Sequence, residues 1–161
     1  MRVEVIALDH VYMAVQDLAR SEAFYDPVMT LLDFRKGTGS VAGEPHVHYY
    51  NRVIHYTLRP AHTNLPHDPY APGLHHICLR VQSSADVDVA ARGLRELGVS
   101  STDPSSYPQY ESDYYATFFE DPDGIRLEIV AEVERRRLIR EHWSELTEFE
   151  NPLSKSGLWR G

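Results

Sequence analysis

His10, His76 and Glu128 are of types that can share one metal ion, and a weak internal repeat suggests that they do. Residues 8–15 (LDHVYMAV) align without gaps on residues 74–81 (LHHICLRV), so that Leu8 falls on Leu74, His10 on His76 and Val15 on Val81. Both segments alternate as half-buried strands do. Val11, Met13 and Val15 share one face, and His10, Tyr12 and Ala14 the other; in the second copy Ile77, Leu79 and Val81 oppose His76, Cys78 and Arg80. Glu128 lies between Leu127 and Ile129 in RLEIV. A carboxylate so placed needs a partner if it is buried, and a metal would be one. Two imidazoles and one carboxylate leave three positions open on Fe(II), and the same donors suit Zn, Ni, Co or Mn. Taken singly, His10 reads as an ordinary core histidine and Glu128 as a partner for Arg126 or Arg80. Their coincidence on the repeat favours the joint role. His75 competes with His76, which is preferred because it matches His10 in register.

The elements that must position these residues follow from the pattern. A helix is expected over about residues 18–33, with Phe24, Val28 and Leu31 at helical spacing and Pro27 as a place for a bend. Its counterpart runs over about residues 85–97, started by Ser83 or Ser84 and ended by Gly98. Three strands then close each unit, within 34–59 and within 99–130, the last introduced by the turn Asp121-Pro122-Asp123-Gly124. The expected fold is α+β: two βαβββ modules, 1–60 and 74–130, forming a curved mixed sheet around a metal cleft. A proline-rich linker, 61–73, joins them. A C-terminal extension, 131–161, carries a charged helix to about residue 146 and then an irregular tail.

Composition narrows the function. Forty-two per cent of the 161 residues are hydrophobic, enough for a core. No apolar run approaches the roughly 18 residues of a membrane span, and no signal peptide is apparent. A net charge of −8 argues against nucleic-acid binding. Arg135, Arg136 and Arg137 lie among glutamates and read as a solvated helix face. Cys78 is the one cysteine, so no internal disulfide forms, and a cytoplasmic location is expected. Nine histidines suit metal and proton chemistry.

The stretches DHVYMAVQDLARSEAFYDPV, GLHHICLRV and FFEDPDGIRLEIV together resemble the vicinal oxygen chelate superfamily, over about residues 5–130. That superfamily contains glyoxalase I, fosfomycin and bleomycin resistance proteins, epimerases and extradiol dioxygenases. The resemblance implies a divalent metal on His10, His76 and Glu128. It also draws attention to His55 in VIHYTL, read as the place where glyoxalase I-like enzymes carry a glutamate and where an extradiol dioxygenase can use an acid–base histidine. The alternative for His55 is a fourth metal ligand.

The leading expectation is an Fe(II) extradiol dioxygenase cleaving a catechol with O2, similar in size and layout to single-domain L-DOPA dioxygenases. His55 or His48 would exchange the catechol proton, since imidazole titrates near neutral pH. Tyr114 is a candidate to replace the tyrosine of the dioxygenase signature, whose position here is Phe118. Tyr12, Tyr50 and Tyr115 are candidates to line an aromatic site, and Arg52, Arg80 and Arg59 to meet a substrate carboxylate. The rivals are a glyoxalase I-like lyase or isomerase and a drug-binding resistance protein, the latter disfavoured by the full ligand set. Leu138, Ile139, Trp143 and Leu146 in the extension could pack on a second subunit, so a homodimer is expected.

Overall fold

The computed structural model describes residues 3–159; positions 1–2 of the first module and 160–161 of the tail lie outside the described residues. The first module runs β1 (His10–Val15), α1 (Leu18–Leu31), β2 (Arg35–Val41), β3 (Glu44–Tyr50) and β4 (His55–Pro60). Its sheet order is β1-β4-β3-β2, with β1 parallel to β4 and the other pairs antiparallel. A parallel pair needs a long crossover, and α1 with the β2–β3 hairpin supplies it. The second module repeats the plan with β5 (His76–Val81), α2 (Ser84–Glu96), β6 (Ser105–Ser106), β7 (Tyr115–Glu120) and β8 (Arg126–Ala131), ordered β5-β8-β7-β6.

Local signals place the helices. Asp17 accepts from the backbone N–H of Arg20 and caps α1. Pro27 sits inside α1 without interrupting it. Ser83 and Asp86 form a reciprocal capping box at the start of α2, and Gly98, with φ +76°, follows its end.

The expected pair of βαβββ modules is present, each module contributing one four-stranded mixed sheet. No ladder joins β1 to β5 among the described residues. What unites the modules is one core built on the helix-facing sides of both sheets, including Met13, Val15, Tyr56, Leu58, Val87, Leu94, Leu127 and Ile129. The helices touch where Leu31 packs onto Gly93. Fully buried Tyr25 spans the modules, its hydroxyl donating to Asp121 Oδ2 at 2.9 Å and lying 2.9 Å from the Tyr56 hydroxyl. Asp121 in turn accepts from the N–H groups of Asp123 and Ile125 and so shapes the turn into β8.

Beyond the modules, α3 (Glu134–Glu141) is shorter than expected, a 3-10 turn follows at Trp143–Glu145, and the tail contains a short helix, α4 (Pro152–Ser156). Pro152 at the first position and Gly157 just past the end make that helix local in origin. The arginine cluster is a solvated face, with Arg137 paired to Glu134 and Glu141. No described helix is long and apolar enough to cross a membrane.

Candidate metal centre

Strand register decides which side chains share a face. β5 and β8 run side by side with His76 opposite Arg126 and Cys78 opposite Glu128. His76 and Glu128 are therefore diagonal neighbours, and His76 Nε2 lies 3.4 Å from Glu128 Oε2. Glu128 is 3% exposed. Its other oxygen, Oε1, accepts from the Tyr114 hydroxyl at 2.5 Å. Burial first, and then that carboxylate, push the Tyr114 hydroxyl far above the ordinary phenol range. Glu128 makes none of the lysine or arginine ion pairs found among the described residues. A buried carboxylate with one oxygen held by a phenol and the other turned to an imidazole has the form of a divalent-metal ligand with its outer support in place.

The same geometry separates His76 from His75. The two rings meet through their Nδ1 atoms at 2.7 Å, which leaves His76 Nε2 facing Glu128. Cys78 shares this face, and its thiol is pushed up to about 12, by desolvation first and the Glu128 charge second. A thiol so raised is a small polar neighbour and not a thiolate.

On the first sheet His10 stands opposite His55, and Thr57 lies between Tyr12 and His48. This corrects one sequence reading. Glu128 is the third residue of β8, paired with the third residue of β5; the third residue of β4 is Thr57, paired with Tyr12. The first-module counterpart of Glu128 is therefore Thr57, and His55 answers to Arg126. His55 is instead the direct neighbour of His10, tilted against Tyr50 with ring centroids 5.6 Å apart. Thr57, 1% exposed, hydrogen-bonds His48, Oγ1 to Nδ1, at 3.0 Å. Burial lowers the His48 pKa below its ordinary value, and the neighbouring His46 and His55 lower it further. His46, missed by sequence reasoning, is buried and stacks on His48 at 6.0 Å. Its parity with His48 in β3 was the signal that could have found it.

The two half-sites do not meet in one chain. Among the described residues no three His, Cys, Asp or Glu side chains stand close enough to hold an ion. His10, more than half exposed, bonds through Nδ1 to Asp9 at 2.8 Å, and that contact lowers the Asp9 carboxyl pKa. The expectation that His10 reaches His76 and Glu128 within a single chain is thus not met: the core takes the helix side of both sheets, and the histidine faces are the opposite sides.

The substrate candidates divide. Tyr12 is 47% exposed and meets His10 and His46 edge-on, and Tyr50 is 38% exposed on the same face. Tyr115 lies on the other side of its strand, where its hydroxyl donates to Asp88 of α2 at 2.9 Å; its odd parity against Ala116 and Phe118 removes it from the cleft face. Arg80 pairs with Glu132 at 3.4 Å, and Arg59 is engaged by Glu44 and His62. Arg52 is exposed in the loop between β3 and β4.

The family model described as the Glyoxalase/Bleomycin resistance protein/Dioxygenase superfamily matches residues 7–129. No curated protein matches the chain. Among solved structures, a glyoxylase/bleomycin resistance protein/dioxygenase domain from Frankia sp. EAN1pec is 24% identical, with a TM-score of 0.67, covering 81% of this chain and all of that one. A glutamate-to-glutamine mutant of a fosfomycin resistance protein, FosX, from Listeria monocytogenes, complexed with Mn(II) and a dihydroxypropylphosphonic acid, is 18% identical (TM-score 0.62; 84% and 98% covered). A lactoylglutathione lyase from Agrobacterium tumefaciens is 19% identical (TM-score 0.57; 79% and 94% covered). With the family model spanning both modules, from before His10 to just past Glu128, the chain belongs to the glyoxalase/bleomycin resistance protein/dioxygenase superfamily.

Proposed function

We propose that the protein is a metal-dependent enzyme whose ion is held by His76 and Glu128 of one copy and His10 of a second. The observation that carries this is the division of the ligand set: a buried, phenol-supported carboxylate beside His76 on one sheet, and His10 on the other. Two further features support a second copy. β1 and β5 are both outer strands of their sheets, and among the described residues no strand pairs with their outer edges. The segment before β1 exposes Val3 (90%), Val5 (84%) and Ile6 (92%), an apolar strip that water does not favour. A two-fold pairing would form the site twice.

For the reaction, the best-supported reading is an extradiol dioxygenase acting on a catechol, with an amino-acid catechol such as L-DOPA as the first substrate to try. Thr57, not a carboxylate, occupies the first-module counterpart of Glu128. That leaves a set of two histidines and one carboxylate with three positions open for a bidentate substrate and oxygen. Fe(II) bound there would acidify a chelated hydroxyl and bring oxygen beside the ring. The chain's own part is proton handling and orientation. His48, fixed through Nδ1 by Thr57, keeps Nε2 to accept the second catechol proton, and its lowered pKa keeps it in the accepting form at neutral pH. Tyr12 and Tyr50 offer aromatic surface on the same face. The glyoxalase I-like alternative needs a strong base toward the substrate, and Thr57 is not one.

Oxygen uptake tests this reading. Anaerobically prepared protein loaded with Fe(II) should consume oxygen and produce a yellow semialdehyde with at least one of a panel of catechols. No uptake with any, from protein that has bound its iron, rejects the dioxygenase and leaves the lyase.

A further inference from the structure

We infer that Arg126 is the anchor for an anionic group on the substrate, a carboxylate or a phosphonate, beside the metal ligands. This rests on the metal site proposed above and names the class of molecule that the site takes. Arg126 is the register partner of His76 across β5 and β8, and it stands two residues before Glu128 on the same face, about 7 Å along the strand. Its guanidinium carbon lies 4.3 Å from the centroid of the Phe118 ring, which holds a planar cation in place without neutralising it. Most arginines of the fold have a carboxylate: Arg20 has Asp123, Arg59 has Glu44, Arg80 and Arg140 have Glu132, and Arg137 has Glu134. Arg126 makes none of the ion pairs found among the described residues.

Its acidic neighbours do not supply one. Glu128 turns to His76 and Tyr114. Glu120, opposite Arg126 in the β7–β8 ladder, is exposed to solvent. Asp121 is buried and bonded to Tyr25 and the turn amides. Arg126 also lines an open groove of about 820 Å³ with Phe118, Tyr107, Thr102 and Ser101, within the size range of small-molecule sites. The guanidinium thus stands between the metal ligands and a groove with an aromatic wall, where its fork would hold two oxygens of one anion.

The test uses the full chain loaded with Mn(II), whose affinity is read first by the paramagnetic resonance of the free ion. Phenylphosphonate, phenylacetate and the neutral phenylacetamide are then titrated by calorimetry against the wild type, Arg126→Lys and Arg126→Gln, and the series is repeated on metal-free protein. Arg126→Gln should weaken the better of the two anions about 10- to 100-fold, with Arg126→Lys intermediate and phenylacetamide unchanged. Which anion binds tighter assigns the carboxylate or the phosphonate. Mn(II) affinity should be the same in all three proteins. Anion binding equal in the wild type and Arg126→Gln overturns the assignment, as does a wild type that binds neither anion, or a loss of Mn(II) in the variants. A wild type that takes no Mn(II), yet loses anions on Arg126→Gln, rejects the metal reading and keeps this one.

Discussion

Replacing Tyr114 by phenylalanine removes one oxygen atom and tests whether Glu128 is a supported metal ligand. The hydroxyl donates to Glu128 Oε1 at 2.5 Å, while Oε2 faces His76 Nε2 at 3.4 Å. Without the donor, the carboxylate is free to rotate, and a group that is only 3% exposed has little water with which to replace the bond. A hydrogen bond to a charged group is worth about 1.5–3 kcal/mol, and losing such an outer partner costs about 10- to 100-fold in metal affinity, which is about 1.4–2.7 kcal/mol. The two scales agree. The ring itself should stay: it meets Tyr110 edge-on and packs on the small cluster of Ala116, Phe118 and Val130, contacts that phenylalanine keeps. Competition against a chromophoric chelator with Zn(II) or Mn(II) measures the affinity, and circular dichroism checks the fold. A Tyr114→Phe protein that folds normally and binds metal as tightly as the wild type would refute this role for Tyr114.

Other perturbations probe the core and the proton-transfer group. Tyr25→Phe removes the buried hydroxyl joining Asp121 to Tyr56, and should cost about 1–3 kcal/mol, seen as a fall in Tm of roughly 2–4 °C per kcal/mol. His48 has a pKa below its ordinary value of 6.5, so the unfolded chain binds its proton first; stability from this group is complete above 6.5 and is lost as pH falls through the folded value. Denaturant titrations from pH 7 to 5 should show a smaller loss in His48→Gln than in the wild type. The acidic limb of activity should lie below 6.5, and His46→Gln, which removes a neighbouring charge but not the burial, should move it up in part.

The repeat made much of this site readable. Alternation put His10 and His76 on the faces away from the aliphatic stripes, and the structure buries Met13, Val15, Leu127 and Ile129 on the opposite sides. What alternation cannot carry is the pairing register between distant strands. That is why His55 was matched to a position that belongs to Thr57, although laying HYTLRP on RLEIVA shows it. Tyr115 was misplaced by one residue of parity, which in a strand means the other face. The separation of His10 from Glu128 was out of reach for another reason. A two-residue period says which face a side chain takes, not which sheet that face will meet.

Whether two copies build one site is decided by pairing His10→Ala with Glu128→Ala. The two variants, carrying different tags, are co-expressed and the mixed dimer is purified through both. Each homodimer should have lost tight metal binding. In the mixed dimer, the Glu128→Ala chain supplies His10 and the His10→Ala chain supplies His76 and Glu128, so one of the two sites is whole. Bound metal at limiting concentration should be about half that of the wild-type dimer. A mixed dimer that binds no more metal than either variant alone, or a wild-type monomer with a full complement, would contradict the shared site.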